Sequence, residues 1–158
     1  MEPGETDGAA VRLPPPLVYL LAVFAGAAAH AFLWPLSLEL GTGARIAGAL
    51  ATAGPGVALI AAALGLFRKT GQDPKPWKST PEVISTGVYR FTRNPMYVGM
   101  ALLQAGIGIG LANGWILALL PPVLAVVYAT AIRHEERYLE CKFGETYLAY
   151  KRSARRWL

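Results

Sequence analysis

The sequence predicts an all-α integral membrane protein with four transmembrane helices and a C-terminal amphipathic helix on the cytoplasmic side. Of its 158 residues, 54% are hydrophobic and 16% are charged, whereas about a quarter of the residues in a soluble domain are charged. The 15 lysines and arginines are segregated, with six in 68–93 and seven in 133–156. The stretches between these basic segments carry almost no charge, which is typical of helices that cross a bilayer.

The first two spans are predicted at 17–38 and 46–67, and both stretches lack charged residues. Each is long enough, at about 1.5 Å per residue, to cross a hydrocarbon core of roughly 30 Å. Pro35 ends or kinks the first helix, and Gly54-Pro55-Gly56 predicts a kink in the second. We expect the segment before them, 1–16, to be a short disordered tail.

A polar loop at 68–94 separates the two halves of the chain. Pro74 and Pro76 exclude a regular helix there, and Trp77 between lysines is typical of an anchor at the membrane interface. The sequence therefore predicts a surface loop that leads to the third span.

The third and fourth spans are predicted at 95–111 and 115–132, joined by a tight turn at Asn113-Gly114. Two adjacent spans with so short a connection form an antiparallel hairpin. Gly106 and Gly110 lie four residues apart in an apolar helix, which indicates a packing face more than a phosphate-binding loop.

Four spans place both termini and the central loop on one side of the membrane. Thirteen of the 15 basic residues lie in 68–93 and 133–156, and the positive-inside rule makes that side cytoplasmic. The predicted partners are anionic membrane lipids, not nucleic acid, because no nucleic-acid recognition motif accompanies the charge. Cys141 is the single cysteine, so no thiol-based metal site is expected.

The candidate active site begins where the loop meets the third span. Asn94 is a good N-cap residue and Pro95 suits the first helical position, so this helix is expected to start there with Asn94 accepting its free N–H groups. The positive end of the helix, beside Arg90 and Arg93, is a reasonable seat for an anionic group.

The hairpin returns the fourth span to the same surface, where a C-terminal helix is predicted at 133–158. Leu139, Phe143, Tyr147 and Tyr150 recur at helical spacing and form one apolar face. The adjacent Glu135 and Glu136 project about 100° apart on a helix. Only one of them is expected to face a ligand, and the sequence does not decide which.

The two motifs together resemble the isoprenylcysteine carboxyl methyltransferase and phospholipid methyltransferase superfamily of integral membrane enzymes. The first motif is Arg93-Asn94-Pro95-Met96-Tyr97-Val98-Gly99, and the second is Glu135-Glu136 followed by Leu139, Phe143-Gly144, Tyr147 and Tyr150. The family often has His at the position of Asn94. The resemblance covers about residues 68–157.

The resemblance implies that S-adenosylmethionine binds between the start of the third helix and the end of the fourth, with S-adenosylhomocysteine as the product and no metal. The residues implied in cofactor binding are Arg93, Asn94, Pro95, Tyr97, Gly99, His134, Glu135 and Glu136. The C-terminal helix completes this cofactor site.

The expected acceptor is apolar or lipid-like and carries a carboxylate, a thiol or an amine. Arg133 and Glu136 are the candidate catalytic residues. An anionic acceptor needs a cation such as Arg133 or Arg90 to hold it. An amine acceptor needs a glutamate or His134 to take its proton. The alternative function is a non-enzymatic four-helix membrane scaffold, or a transport or assembly subunit, which needs neither motif.

Overall fold

A computed structural model describes residues 8–9, 11, 13–75 and 78–158, and within these residues every regular element is helical. Isolated β-bridges join Ser37 to Asn113 and Thr92 to Arg155. The elements run in chain order as α1 Pro15–Phe32, α2 Thr42–Thr70, a 3-10 helix Gly87–Arg90, α3 Pro95–Gly110, α4 Gly114–Ala118, α5 Leu120–Val127, a π-helical stretch Tyr128–Ile132, α6 Arg133–Phe143 and α7 Glu145–Ser153.

Three helical stretches are long and apolar enough to cross a membrane: Pro15–Phe32, Thr42–Thr70 and the continuous run Gly114–Phe143. A fourth apolar helix, α3, is shorter, at 16 residues. Large apolar side chains such as Phe24 and Leu50 point outward from α1 and α2. Exposed apolar helix faces of this extent fit contact with lipid better than contact with water.

The helix bounds differ from the predicted spans where local chemistry intervenes. The first helix ends at Phe32 and not at residue 38, because Pro35 cannot continue it. The chain after it pairs with the turn between α3 and α4, where the Gly114 N–H donates to the Leu36 carbonyl at 2.7 Å. The second helix, in contrast, extends beyond 46–67 at both ends, and Gly71, which follows its last residue Thr70, adopts the left-handed conformation.

The predicted C-terminal helix 133–158 is two helices, because Gly144 has a φ of +50° and breaks it. This glycine turns α7 back toward the start of α3. Residues 154–158 after α7 are not helical.

The disordered tail at 1–16 stays a prediction, and only part of this segment is described. Residues 1–7, 10 and 12, like Trp77 in the central loop, lie outside the described residues. Ala9 is buried, and Val11 and Leu13 pack against the core formed by α1, α3 and α5. Apolar side chains at these positions give this segment a reason to fold against the protein.

The most extensive helix contact joins α2 to α3 along a seam of small residues. A Cβ atom on Gly56 would lie 2.7 Å from the Gly99 carbonyl oxygen, and one on Gly106 would lie 2.7 Å from the Cβ of Ala53. Gly110 also faces α2, where its Cβ would meet Ala49 at 3.3 Å. The prediction that Gly106 and Gly110 form a packing face is therefore confirmed, and Gly99 belongs to the same seam.

Two buried clusters flank the start of α3. One joins α1, α3 and α5 around Tyr19, Tyr97 and Val127. The other joins α2, the 3-10 helix and α7 around Ala63, Tyr89 and Tyr147. The beginning of α3 lies between them, so the fold holds this junction on both sides.

The seam predicts that Gly56→Ala destabilises the protein by about 1–3 kcal/mol, because the new methyl group overlaps the α3 backbone. Gly65→Ala is the matched control on the same helix, since its Cβ meets nothing within 4 Å. Thermal unfolding in detergent micelles measures both variants. Equal stability of the two variants would contradict the close approach of α2 and α3.

Candidate active site

The start of α3 is held by hydrogen bonds to the C-terminal part of the chain. Asn94 does not cap the helix as expected; its side-chain amide instead donates to the Arg156 carbonyl at 2.8 Å. The Thr92 hydroxyl donates to the same carbonyl at 3.2 Å. No side chain therefore caps the first turn of α3 within the described residues.

We call residues 151–156 the C-terminal strap, because they lie across this junction. The Arg93 backbone N–H donates to the Arg155 carbonyl at 2.8 Å. The Arg93 guanidinium donates through Nη1 to the carbonyls of Lys151 at 2.8 Å and Ala154 at 3.1 Å. An ion pair between Lys151 and Glu140 ties the strap to α6 as well.

An ion cluster of Glu136 with Arg93 and Arg156 joins the strap to α6. The Glu136 carboxylate accepts from Arg93 Nη2 at 3.0 Å, from Arg156 Nε at 2.9 Å and from Arg156 Nη2 at 3.0 Å. The side chains of Arg93 and Glu136 are 7% and 11% exposed. Burial raises the pKa of Glu136, but the hydrogen bonds and charges of Arg156 and Arg93 outweigh it and hold this pKa below its usual value.

The catalytic role of Glu136 stays a prediction, and these contacts disfavour a role as a base. Its carboxylate is saturated by two guanidinium groups and stays ionised, so it is a poor proton acceptor. Its contacts give it a structural role between α3, α6 and the strap.

Glu135 projects from α6 in a different direction and accepts a hydrogen bond from the Tyr97 hydroxyl. This bond joins the two sequence motifs directly, across 38 residues of chain. Burial raises the pKa of Glu135 to about 7, the Tyr97 hydrogen bond lowers it, and the charge of Glu136 raises it. Two adjacent carboxylates on one helix therefore have opposite electrostatic environments.

Glu135 and Tyr97 line a cavity with about 800 Å³ of empty space, counting its open mouth. Its walls come from the N-terminal segment, the end of α2, the central loop, the start of α3, and α6 and α7. The lining residues are Ala9, Phe67, Gln72, Asp73, Pro74, Lys75, Thr80, Glu82, Val83, Ile84, Tyr89, Arg93, Asn94, Pro95, Met96, Tyr97, Glu135, Tyr138, Leu139, Tyr147 and Tyr150.

Aromatic residues form one wall of the cavity. Tyr89 meets Phe67 edge-on with ring centroids 6.2 Å apart, and Tyr147 meets Tyr150 at 6.0 Å. The Tyr150 hydroxyl donates to the Tyr89 carbonyl at 2.8 Å. Burial raises the pKa of all three phenols, so they stay neutral.

The cavity also contains a buried amide. Gln72 is 7% exposed, and neither its Oε1 nor its Nε2 atom has a hydrogen-bond partner among the residues that the structure describes. The backbone fixes its position, since the Gln72 N–H donates to the Phe67 carbonyl at 2.9 Å after the left-handed Gly71. This is the hydrogen-bond pattern of a Schellman cap at the end of α2.

The structure brings some of the predicted site residues together and separates others. Arg93, Asn94, Pro95, Tyr97 and Glu135 line the cavity. Gly99 lies in the seam with α2 instead. Arg133, His134 and Glu136 line a separate depression on the outer face of α6. Their contacts with a cofactor or acceptor stay predictions.

Sequence reasoning missed Gln72, Tyr89 and the role of Arg156. Tyr89 carries a weak signal, because it is an aromatic residue in the short apolar stretch just before the first motif. Gln72 and Arg156 carry none, since their roles depend on contacts with distant parts of the chain.

Comparisons with known proteins agree with this arrangement of motifs. A family model described as phospholipid methyltransferase matches residues 45–146. A protein of Haemophilus influenzae described as an uncharacterized protein is 35% identical over 65 residues, which are 40% of this chain and the whole of that protein. No solved structure matches the chain.

Glu136→Gln is expected to destabilise the protein by about 3–5 kcal/mol, because it leaves the buried Arg93 without its anionic partner. The matched control is Glu145→Gln, whose exposed ion pair with Arg152, at 3.7 Å, is worth at most about 1 kcal/mol. Thermal unfolding of the two variants in the same detergent makes the comparison. Similar losses in both would show that the buried cluster does not hold the strap.

The contribution of Glu135 to stability is expected to fall as pH rises from the unfolded-state pKa to about 7, and to level off above that pH. Its pKa is raised in the folded protein to about 7, so between the unfolded-state value and pH 7 the folded state keeps a proton that the unfolded state releases. The stabilisation from this group is complete below the unfolded-state pKa and is lost as pH rises through about 7.

Glu135→Gln removes this titration, so the Tm of the wild type minus that of the variant is expected to decrease from pH 5 to pH 8. Parallel pH profiles of the two proteins would contradict the raised pKa.

Proposed function

This chain belongs to the phospholipid methyltransferase family, and we propose that it transfers a methyl group from S-adenosylmethionine to an apolar or lipid-like acceptor at the membrane surface. The observation that carries the proposal is the hydrogen bond from Tyr97 to Glu135 in the cavity. It joins the first turn of α3 to α6 at a place where a carboxylate faces open space.

The cavity fits the chemical groups of S-adenosylmethionine. The Glu135 carboxylate suits the amino group of its methionine part, because charge-assisted hydrogen bonds are strong where water is excluded. The uncapped first turn of α3 suits the carboxylate of the same part. The neutral aromatic wall around Tyr89 and Tyr150 suits the apolar faces of its adenosine part.

When bound, S-adenosylmethionine supplies an electrophilic methyl group on a sulfonium. Methyl transfer is an in-line displacement, so the protein contributes chiefly by aligning the reactants and excluding water. Tyr97 orients the Glu135 carboxylate. The strap, fixed by Arg93, Asn94 and Arg156, holds α7 and its tyrosines over the cavity.

For the acceptor, we propose a molecule with an acyl-like or prenyl-like chain that lies in a second, apolar groove. This groove has about 1010 Å³ of empty space, counting its open side, and runs between α3 and α5 past Ala101, Leu102 and Leu124. Val98, the residue after Tyr97, and Tyr128 both line this groove, and they lie at the same end of it because α3 and α5 run antiparallel. The Arg156 guanidinium lies 5.1 Å from the Tyr128 ring centroid, so a cation marks this end of the groove.

We also propose that the protein crosses the membrane four times, with both termini and the active site in the cytoplasm. The shorter helix α3 completes an antiparallel hairpin with the part of the run Gly114–Phe143 that precedes residue 133. The positive-inside rule supports this orientation, because the basic residues concentrate in the central loop and after residue 132.

A transfer assay tests the proposal. The protein is reconstituted in vesicles of total membrane lipid and incubated with methyl-labelled S-adenosylmethionine, and the label is counted in the organic extract. We expect label in the lipid fraction, reduced about tenfold to a hundredfold by Glu135→Gln through loss of a charge-assisted hydrogen bond.

The control variant Glu145→Gln should transfer at the wild-type rate, since the Glu145 carboxylate is exposed and does not line the cavity. Equal rates for all three proteins would contradict the role of Glu135. Label that reaches water-soluble acceptors alone would contradict the lipid-like acceptor.

A further inference from the structure

Gln72 is a buried polar side chain with unused hydrogen-bonding capacity in the candidate active site. Its amide lines the cavity and is 7% exposed, and within the described part of the chain neither its oxygen nor its nitrogen has a hydrogen-bond partner. Buried polar groups in folded proteins are nearly always paired, and each exception calls for an explanation. A ligand that supplies the missing partners is the simplest explanation for a group that faces a cavity.

The position of this amide is set before any ligand arrives. Gly71 takes a φ of +68°, which favours glycine, and the Gln72 N–H closes the cap of α2 on the Phe67 carbonyl. The backbone at Gln72 is therefore anchored to the end of a 29-residue helix. Such preorganisation reduces the ordering that a ligand must otherwise impose.

The surroundings of Gln72 favour a neutral, planar ligand group. Phe67 and Tyr89 provide aromatic surface in the same cavity. Asp73 and Glu82 also line the cavity, and they disfavour an anionic group at this end. Lys75 is already paired with Asp73 through its ammonium group. The backbone N–H of Lys75 also donates a hydrogen bond to the Asp73 Oδ1 atom at 3.0 Å.

We propose that the Gln72 side-chain amide binds the edge of the adenine base of S-adenosylmethionine through one donated and one accepted hydrogen bond. An amide matches adenine in this way because the base presents a ring nitrogen acceptor beside an amino donor. The inference rests on the proposed function and extends it. It assigns the base to the Gln72 end of the cavity and the amino acid part to the Glu135 end.

Two fragments of the product test this orientation by competition against labelled S-adenosylhomocysteine. Methylthioadenosine keeps the base and lacks the amino acid part, whereas S-ribosylhomocysteine keeps the amino acid part and lacks the base. We expect Gln72→Leu to weaken S-adenosylhomocysteine and methylthioadenosine about tenfold to a hundredfold and to leave S-ribosylhomocysteine unchanged. Glu135→Gln should give the opposite fragment pattern.

Gln72→Met is the second variant, and thermal unfolding of each variant verifies that the helix cap and the cavity remain intact. Unchanged binding of S-adenosylhomocysteine by both folded variants would overturn the role of Gln72 and leave the proposed function standing. Equal weakening of the two fragments would also overturn it, because Gln72 would then act through the fold. Failure of the wild type to bind S-adenosylhomocysteine at millimolar concentration would overturn the proposed function together with this inference.

Discussion

The buried ion cluster of Glu136 with Arg93 and Arg156 is the interaction on which the rest of the site depends. It joins the start of α3, the beginning of α6 and the C-terminal strap at a single carboxylate. An unpaired buried charge is costly, so removing the carboxylate leaves the Arg93 guanidinium, which is 7% exposed, without its anionic partner. The cluster thereby holds three distant segments of the chain in one arrangement.

That arrangement gives Glu135 its environment. Because neighbouring residues on a helix point about 100° apart, fixing Glu136 against the arginines turns Glu135 toward the cavity and Tyr97. Glu136 keeps its charge beside two cations, whereas burial raises the pKa of Glu135 to about 7. Two carboxylates that are adjacent in sequence thus differ in their electrostatic environment, and of the two only Glu135 lines the cavity.

Much of the helical architecture follows from the sequence alone, because uncharged stretches and their breaks are local signals. The start of α3 at Pro95 and the packing face at Gly106 and Gly110 were predictable on these grounds. For Glu135 and Glu136, the sequence predicts that only one of the two faces a ligand, but it does not decide which one. Helix geometry separates the two side chains, but which one meets the arginines depends on the tertiary structure.

The features that sequence reasoning missed depend on contacts between remote residues. Asn94 has the local chemistry of a helix cap, yet its amide binds a carbonyl 62 residues later in the strap. The break at Gly144 turns α7 back and makes this contact possible. Gln72 is polar and lies beside a loop, and its burial in the cavity wall depends on residues that are distant in the sequence, which no short motif records.

The most direct test of the central claim is an experimental structure of the full chain in lipid with S-adenosylhomocysteine. We predict that the ligand lies in the cavity between Gln72 and Glu135, with its amino group on the Glu135 carboxylate and its base beside the aromatic wall of Phe67 and Tyr89. A ligand bound elsewhere, for example in the depression around Arg133 and His134, would contradict the assignment of this cavity as the active site.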